Sequence, residues 1–178
     1  MTLLPFGQPL GGMMQVAFVV EDIHKSMKEW TESQNVGPFF LLEHFELLDL
    51  RYRGKPADFD ITLALAYSGS MCVELIQMND TKPSLYREMV ERRGYGFHHW
   101  AVSTADFEGD LKRFVARGYP EALYARVSVG ARAAYVDATK QLGAFIELIE
   151  INDKVNGLFA SIKAAADNWD GKDPVRRP

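Results

Sequence analysis

With 178 residues, a formal net charge of −4, 47% apolar and 25% charged residues, the chain has an ordinary globular make-up and is long enough to bury a sizeable core. Its basic residues are scattered apart from Arg51, Arg53 and the Arg176-Arg177 pair, so no nucleic-acid partner is expected. The single Cys72 excludes an internal disulfide and a thiolate zinc site; with no signal-like start and no apolar run of membrane length, the expectation is a cytoplasmic protein without a membrane partner.

Residues 1–12, with Pro5, Pro9 and Gly11-Gly12, predict an irregular lead-in. Residues 14–20 form an apolar run with β-branched members, as in a strand buried on both faces. Asp22 can then cap a helix whose apolar positions Ile23, Met27 and Trp30 fall at helical spacing, with Asn35 and Gly37 to end it. The Phe- and Leu-rich residues 39–50 predict a strand, and residues 51–60, with Gly54 and Pro56, an exposed loop. Residues 61–67 and 71–78, parted by Ser68-Gly69-Ser70, predict a hairpin. Residues 13–79 therefore read as one β-α-β-β-β module, followed by a connector over 80–95 with a short helix at 85–93.

The chain then repeats itself. Laying His99 on Gln15, an offset of 84, also places Ala101 on Ala17, Asp106 on Asp22, Phe107 on Ile23, Leu111 on Met27 and Phe114 on Trp30. Val73-Glu74-Leu75-Ile76 and Ile146-Glu147-Leu148-Ile149 recur at an offset of 73, so the later copy is shorter by 11 residues, and the 51–60 loop is the natural place for the excess. A strand at 97–103, a helix at 107–117 and strands at 123–129, 131–138 and 143–151 give the second module, residues 96–151. From 153 to 178, Val155, Phe159, Ile162 and Ala166 predict an amphipathic helix that covers a sheet face or edge, broken by the tail from Trp169. The expected fold is α+β, two tandem βαβββ modules in one cupped mixed sheet, with helices on its outer faces and a C-terminal helix.

Period-two alternation puts Gln15 on one face with Ala17, Glu74 with Cys72 and Ile76, His99 with Ala101, and Glu147 with Phe145. Under a pseudo-twofold, Gln15 matches His99 and Glu74 matches Glu147, so the four can converge. Three oxygens and one nitrogen suit one divalent ion such as zinc, nickel, cobalt, manganese or iron. Singly, either Glu could belong to an exposed edge strand and His99 could be a structural histidine; the duplication is what joins them into a site. His98 is expected on the opposite face, Cys72 in packing, and His24 and His44 on the surface or in packing. Phe39, Phe40, Phe45, Tyr52 and Trp100 are candidates for an aromatic pocket. Arg51 and Arg53 are either contacts for an anionic substrate or solvated loop charges.

Through Gln15-Val16-Ala17, Val73-Glu74-Leu75, His98-His99-Trp100-Ala101, Ile146-Glu147-Leu148 and the duplicated element order, residues 14–151 resemble the vicinal oxygen chelate superfamily. That family includes glyoxalase I, methylmalonyl-CoA epimerase, extradiol dioxygenases and bleomycin resistance proteins. The resemblance implies one ligand from the first and one from the last strand of each module, hence Gln15, Glu74, His99 and Glu147, a set similar to that of one glyoxalase I subgroup. It also implies a divalent metal acting as Lewis acid on a small-molecule substrate, Glu74 and Glu147 as bases on either side of it, and a homodimer. The expected function is a metal-dependent isomerase, epimerase or lyase that moves a proton next to a carbonyl. Its substrate would be a thioester or oxo compound: a CoA thioester, a glutathione adduct or a ring-derived catabolite. The alternative is a non-catalytic binder of a hydrophobic small molecule. A ring-cleaving dioxygenase matches less well, because Gln15 stands where those enzymes carry their first histidine.

Overall fold

A computed structural model describes residues 2–177. In chain order the first module comprises β1 (Met13–Val19), α1 (Ile23–Gln34), β2 (Phe39–Leu42), β3 (Leu47–Tyr52), β4 (Lys55–Pro56), β5 (Ile61–Ser68) and β6 (Met71–Met78). After α2 (Leu85–Arg93) come β7 (Gly96–Thr104), α3 (Phe107–Ala116), β8 (Glu121–Val127), β9 (Arg132–Ala138), α4 (Thr139–Leu142) and β10 (Ala144–Glu150), then α5 (Asp153–Asp167) and β11 (Val175–Arg176). The two strand-to-helix corners are built alike. Asp22 accepts from Lys25 N at 3.0 Å and Asp106 from Gly109 N at 3.1 Å, each satisfying an otherwise unpaired first-turn donor.

All eleven strands form one mixed sheet in the order β11-β2-β5-β6-β1-β7-β10-β9-β8-β3-β4. β1 and β7 are antiparallel neighbours at its centre, paired Gln15 to Ala101, Val16 to Trp100 and Ala17 to His99. Shifting by 84 residues maps this register onto itself, so the pseudo-twofold passes through the Val16–Trp100 pair. β1 is flanked by parallel β6, and β7 by parallel β10.

Helices α1 and α3 cover equivalent parts of the outer face. Ile23 and Met27 of α1 bury against Ala64, Ala66, Val73 and Leu75, while Phe107 of α3 buries against Ala134 and Leu148. Burial of a side chain such as Met27 stabilises by about 1.5–3 kcal/mol, and an acidic residue there would lose that and strand a charge.

Helix α5 departs from the expected outer placement. Its Val155 and Phe159 join Leu65 and Met14 in a core on the inner side of the sheet, where Phe159 also meets Phe6 at 5.4 Å between ring centroids. Apolar spacing fixed which face of α5 is buried but carries no information about which side of the sheet receives it. Nor do residues 39–50 form one strand. β2 ends at Leu42, His44 takes a positive φ of 50°, and β3 crosses to pair antiparallel with β8 of the second module. Residues 51–60 are likewise not simply an exposed loop. Arg53 and Gly54, with φ of 49° and 75°, make a two-residue turn of the kind that suits right-twisted hairpins, and β4 folds back on β3. The segment between β2 and β5 does hold the residues that the second copy lacks, since only four residues separate β8 from β9. After α5 the tail doubles back, β11 pairs with β2, and the Trp169 ring lies where a Cβ on Gly37 would meet it at 2.8 Å. Among the described residues no helix is long and apolar enough to cross a membrane.

Candidate metal centre

Two neighbouring rungs of the sheet position the four candidate ligands. Across β6-β1-β7-β10 one rung reads Glu74, Ala17, His99, Phe145, and the next on the same face reads Cys72, Gln15, Ala101, Glu147. In each rung a buried alanine stands between two polar side chains. Two strand spacings, roughly 9–10 Å, separate those side chains at the backbone, and a small residue between them lets them lean together. Gln15 Nε2 donates to Glu74 Oε2 at 3.0 Å and lies 3.5 Å from Glu147 Oε2. His99 Nε2 lies 3.5 Å from the Glu74 oxygen and 3.2 Å from that of Glu147. All four are buried: Gln15 is 2% exposed, Glu74 6%, His99 0% and Glu147 6%.

Brought this close, the two carboxylates and the histidine nitrogen could hold a cation. Glu74, His99 and Glu147 each offer a ligand atom within 4.8 Å of the others. Two carboxylate charges at that separation repel by about 3–4 kcal/mol at an effective dielectric of about 20. Burial, and then the Glu147 charge, push the Glu74 carboxyl well above the usual carboxylate range. Among the described residues no lysine or arginine pairs with either carboxylate, and His99 Nε2 is a buried nitrogen without a hydrogen-bond partner. The donor set therefore fits a divalent ion, with the Gln15 amide able to turn its oxygen inward in place of its nitrogen.

The orientation of His99 comes from a neighbour expected on the opposite face. Ala17 pairs with His99 but Phe18 pairs with Phe97, so His98 is the extra residue of a β-bulge and its side chain is re-aimed toward the same side. His98 Nε2 lies 3.3 Å from the Leu85 carbonyl and His98 Nδ1 lies 2.9 Å from His99 Nδ1. Burial, followed by the adjacent His99, holds the His98 imidazole well below its ordinary value, so it is neutral. With its single proton on Nε2 facing the carbonyl, His98 presents Nδ1 as an acceptor to His99 Nδ1, which turns His99 Nε2 toward the carboxylates. A bulge is invisible to period-two counting, which is why His98 was misplaced.

The site forms the floor of a cavity of about 290 Å³. Its walls come from both halves of the sheet, with Leu63 and Leu65 on β5 facing Leu123 and Ala125 on β8, and its roof from Val155, Leu158 and Phe159 of α5. Tyr86 of α2 and Tyr135 of β9 close one side, Tyr86 donating to the Tyr135 hydroxyl at 3.3 Å. Burial, and then the Glu74 and Glu147 charges respectively, push both phenols up, so they remain donors. Tyr135 is directly opposite Glu147 across β9 and β10, a pairing that cross-strand counting could have exposed. Of the expected aromatic pocket only Phe45 lines the cavity. Phe39 packs under α1, Phe40 lies beside the α5 core, Tyr52 donates to Glu88 at 2.7 Å, and Trp100 lies on the outer face beside α3. Arg51 stacks on Tyr124, and Arg53 binds Glu88 and Asp137, each at 2.7 Å. Cys72 packs among buried apolar residues, His24 is exposed, and His44 pairs with Asp60 at 2.7 Å.

A family model described as Glyoxalase/Bleomycin resistance protein/Dioxygenase superfamily matches residues 14–136. The chain belongs to that superfamily. The matched span includes Gln15, Glu74 and His99 and stops short of Glu147, whose place rests on the β7–β10 register. Structures similar to this superfamily member include a hypothetical protein from Bacillus halodurans C-125, at 19% identity and TM-score 0.58, covering 80% of this chain and 95% of that one. Methylmalonyl-CoA epimerase from Mycobacterium tuberculosis shares 16% identity at TM-score 0.57, covering 83% and 93%. The E43L variant of Streptomyces coelicolor methylmalonyl-CoA epimerase, in complex with 2-nitronate-propionyl-CoA, shares 16% at TM-score 0.53, covering 82% and 97%. At these identities the likeness is one of fold. No curated protein matches the chain.

Proposed function

We infer that this superfamily member is a divalent-metal-dependent isomerase, epimerase or lyase that moves a proton next to a substrate carbonyl. The observation that carries the reading is the buried His99 Nε2, without a hydrogen-bond partner, between two buried carboxylates at the floor of a cavity. Gln15, Glu74, His99 and Glu147 would hold a divalent ion, which would supply Lewis acidity toward substrate oxygens. Glu74 and Glu147 reach the floor from opposite halves of the sheet, so one can take an α-proton and the other return one on the far side of the substrate plane. Gln15 and His99 hold and orient, and the apolar walls keep water from the proton in transit. The fold shared with two methylmalonyl-CoA epimerases supports proton transfer as the class of chemistry. A homodimer is the proposed assembly, to be checked by analytical ultracentrifugation.

Elemental analysis tests the reading directly. Protein purified without chelators should carry about one divalent ion per chain, and a Glu74→Ala/His99→Ala variant none. The parent should also catalyse exchange of α-hydrogen for solvent deuterium. The largely aliphatic cavity favours a second reading, sequestration of a hydrophobic molecule without turnover. Ligand binding with no metal in either protein, and none taken up from zinc, nickel, cobalt, manganese or iron, would establish that reading in place of the first.

A further inference from the structure

The cavity itself limits what can enter it. At about 290 Å³ it is roughly twice the ~150 Å³ of an apolar cavity that admits benzene, enough for one or two fused rings. Its polar lining side chains are Gln15, Glu74 and Glu147 at the floor, Tyr86 and Tyr135 at one side, and Ser128 and Arg132 at the β8–β9 turn, while the rest of the lining, the α5 roof included, is hydrocarbon. Of the described residues lining it, only Arg132 carries a permanent positive charge, and that charge is already committed. Its Nε and Nη2 donate to Glu150 at 2.9 and 2.6 Å, its Nη1 donates to Glu108 at 2.7 Å, and its guanidinium lies 4.5 Å over the Phe107 ring. Arg51 and Arg53 are likewise engaged elsewhere. A phosphate or carboxylate on the substrate would find no free side-chain cation among the described lining residues, and in the metal-free protein it would approach two buried carboxylates from the low-dielectric side.

From this geometry we propose that the substrate is an uncharged, ring-sized ketone with α-hydrogens, whose hydrocarbon body fills the space between β5, β8 and α5, and not a CoA thioester or other anionic conjugate. The proposal rests on the proton-transfer reading for the ketone and on the lining alone for the ring and the missing charge. Apolar burial anchors the body, and the carbonyl is left pointing at the polar floor of the cavity, next to Glu74 and Glu147.

The test compares 2-tetralone, an uncharged bicyclic ketone, with phenylpyruvate, a ring-sized anion, and with propionyl-CoA. Binding to the full chain is followed by saturation-transfer NMR and calorimetry, before and after metal loading. 2-Tetralone is expected to bind the metal-free chain at least about tenfold more tightly than either anion. Leu158→Trp in the roof and Leu63→Trp in the wall should each weaken it at least about tenfold while circular dichroism and metal content stay unchanged. The roof position is half-buried and so accepts the larger ring even if the wall variant fails to fold. Equal or tighter binding of phenylpyruvate or propionyl-CoA would overturn the proposal, as would 2-tetralone binding that a folded variant leaves untouched. The two readings separate cleanly. Deuterium exchange on propionyl-CoA alone would keep the enzyme and discard this ligand class, whereas Leu158-sensitive 2-tetralone binding without metal uptake would keep the ligand class and discard the enzyme.

Discussion

Gln15 and His99 occupy repeat-equivalent positions, yet the two halves of the site are held in different ways. His99 is fixed from behind by a chain of hydrogen bonds through His98 to the Leu85 carbonyl. In the first module the residue equivalent to His98 is Met14, which is also skipped by the register between Met13 and Gln15 but offers only a buried apolar side chain. Among the described residues the Gln15 amide therefore makes hydrogen bonds only to the carboxylates in front of it. A duplicated backbone preserves positions; a single polar replacement behind one of them decides which half is preorganised.

The contrast can be broken most severely at the carboxylates, which the two halves contribute equally. Glu74→Ala and Glu147→Ala should each weaken metal binding by more than about 100-fold and reduce α-hydrogen exchange to background, measured by chelator competition and deuterium NMR. A large loss at one carboxylate and none at the other would mean that the halves are not equivalent. Next in size is the support itself. His98→Phe should lower metal affinity about 10–100-fold by freeing the His99 ring, whereas Met14→Ala should change affinity little and cost about 2–5 kcal/mol of stability in denaturant titrations.

Repulsion between the halves gives a smaller effect of opposite sign. Replacing one of two crowded acids by an amide, Glu147→Gln, should raise the stability of the metal-free protein by about 1–2 kcal/mol while abolishing the rise in melting temperature on adding metal. Scanning calorimetry with and without a chelator reads both.

The smallest effect separates the modules by pH. Glu150 occupies the place, at an offset of 73, that Gln77 occupies in the first module. Gln77 accepts from Ile23 N at 2.9 Å without a charge, whereas Glu150 is held below the usual carboxylate range by its hydrogen bond with Arg132, against partial desolvation. Because the folded value is depressed, Glu150 binds its proton more readily in the unfolded chain. Its contribution is full above the unfolded value, about 4.3, and disappears as pH falls through the lower folded value. Glu150→Gln should therefore flatten the acid limb of urea-measured stability below about pH 4.5, while Gln77→Glu should not restore it.

What could be read in the sequence followed from local rules and from the repeat. Asp22 and Asp106 are caps by spacing, Asn35 ends α1, and the repeat, by matching Gln15 with His99 and Glu74 with Glu147, is what lets the four share the face on which the register puts them. The errors arise where a local pattern is compatible with two tertiary partners. Residues 39–50 are apolar enough for a strand throughout, but nothing in them states that β2 pairs with β5 while β3 pairs with β8. The apolar stripe of α5 fits either side of a sheet. His98 obeys alternation on paper and escapes it through one extra residue.

The crossing of β3 also sets an order of events during synthesis. Leu47 pairs with Val127, 80 residues further along the chain, so the β3–β4 hairpin leaves the ribosome well before the strand that completes its pairing. Until β8 follows, its open edge must wait, and the ladder between them closes a long loop late in folding. The two copies thus cannot finish folding one after the other. The second half of the sheet is completed by a piece made during the first, and a cut at the connector would leave β8 with an open edge where β3 belongs.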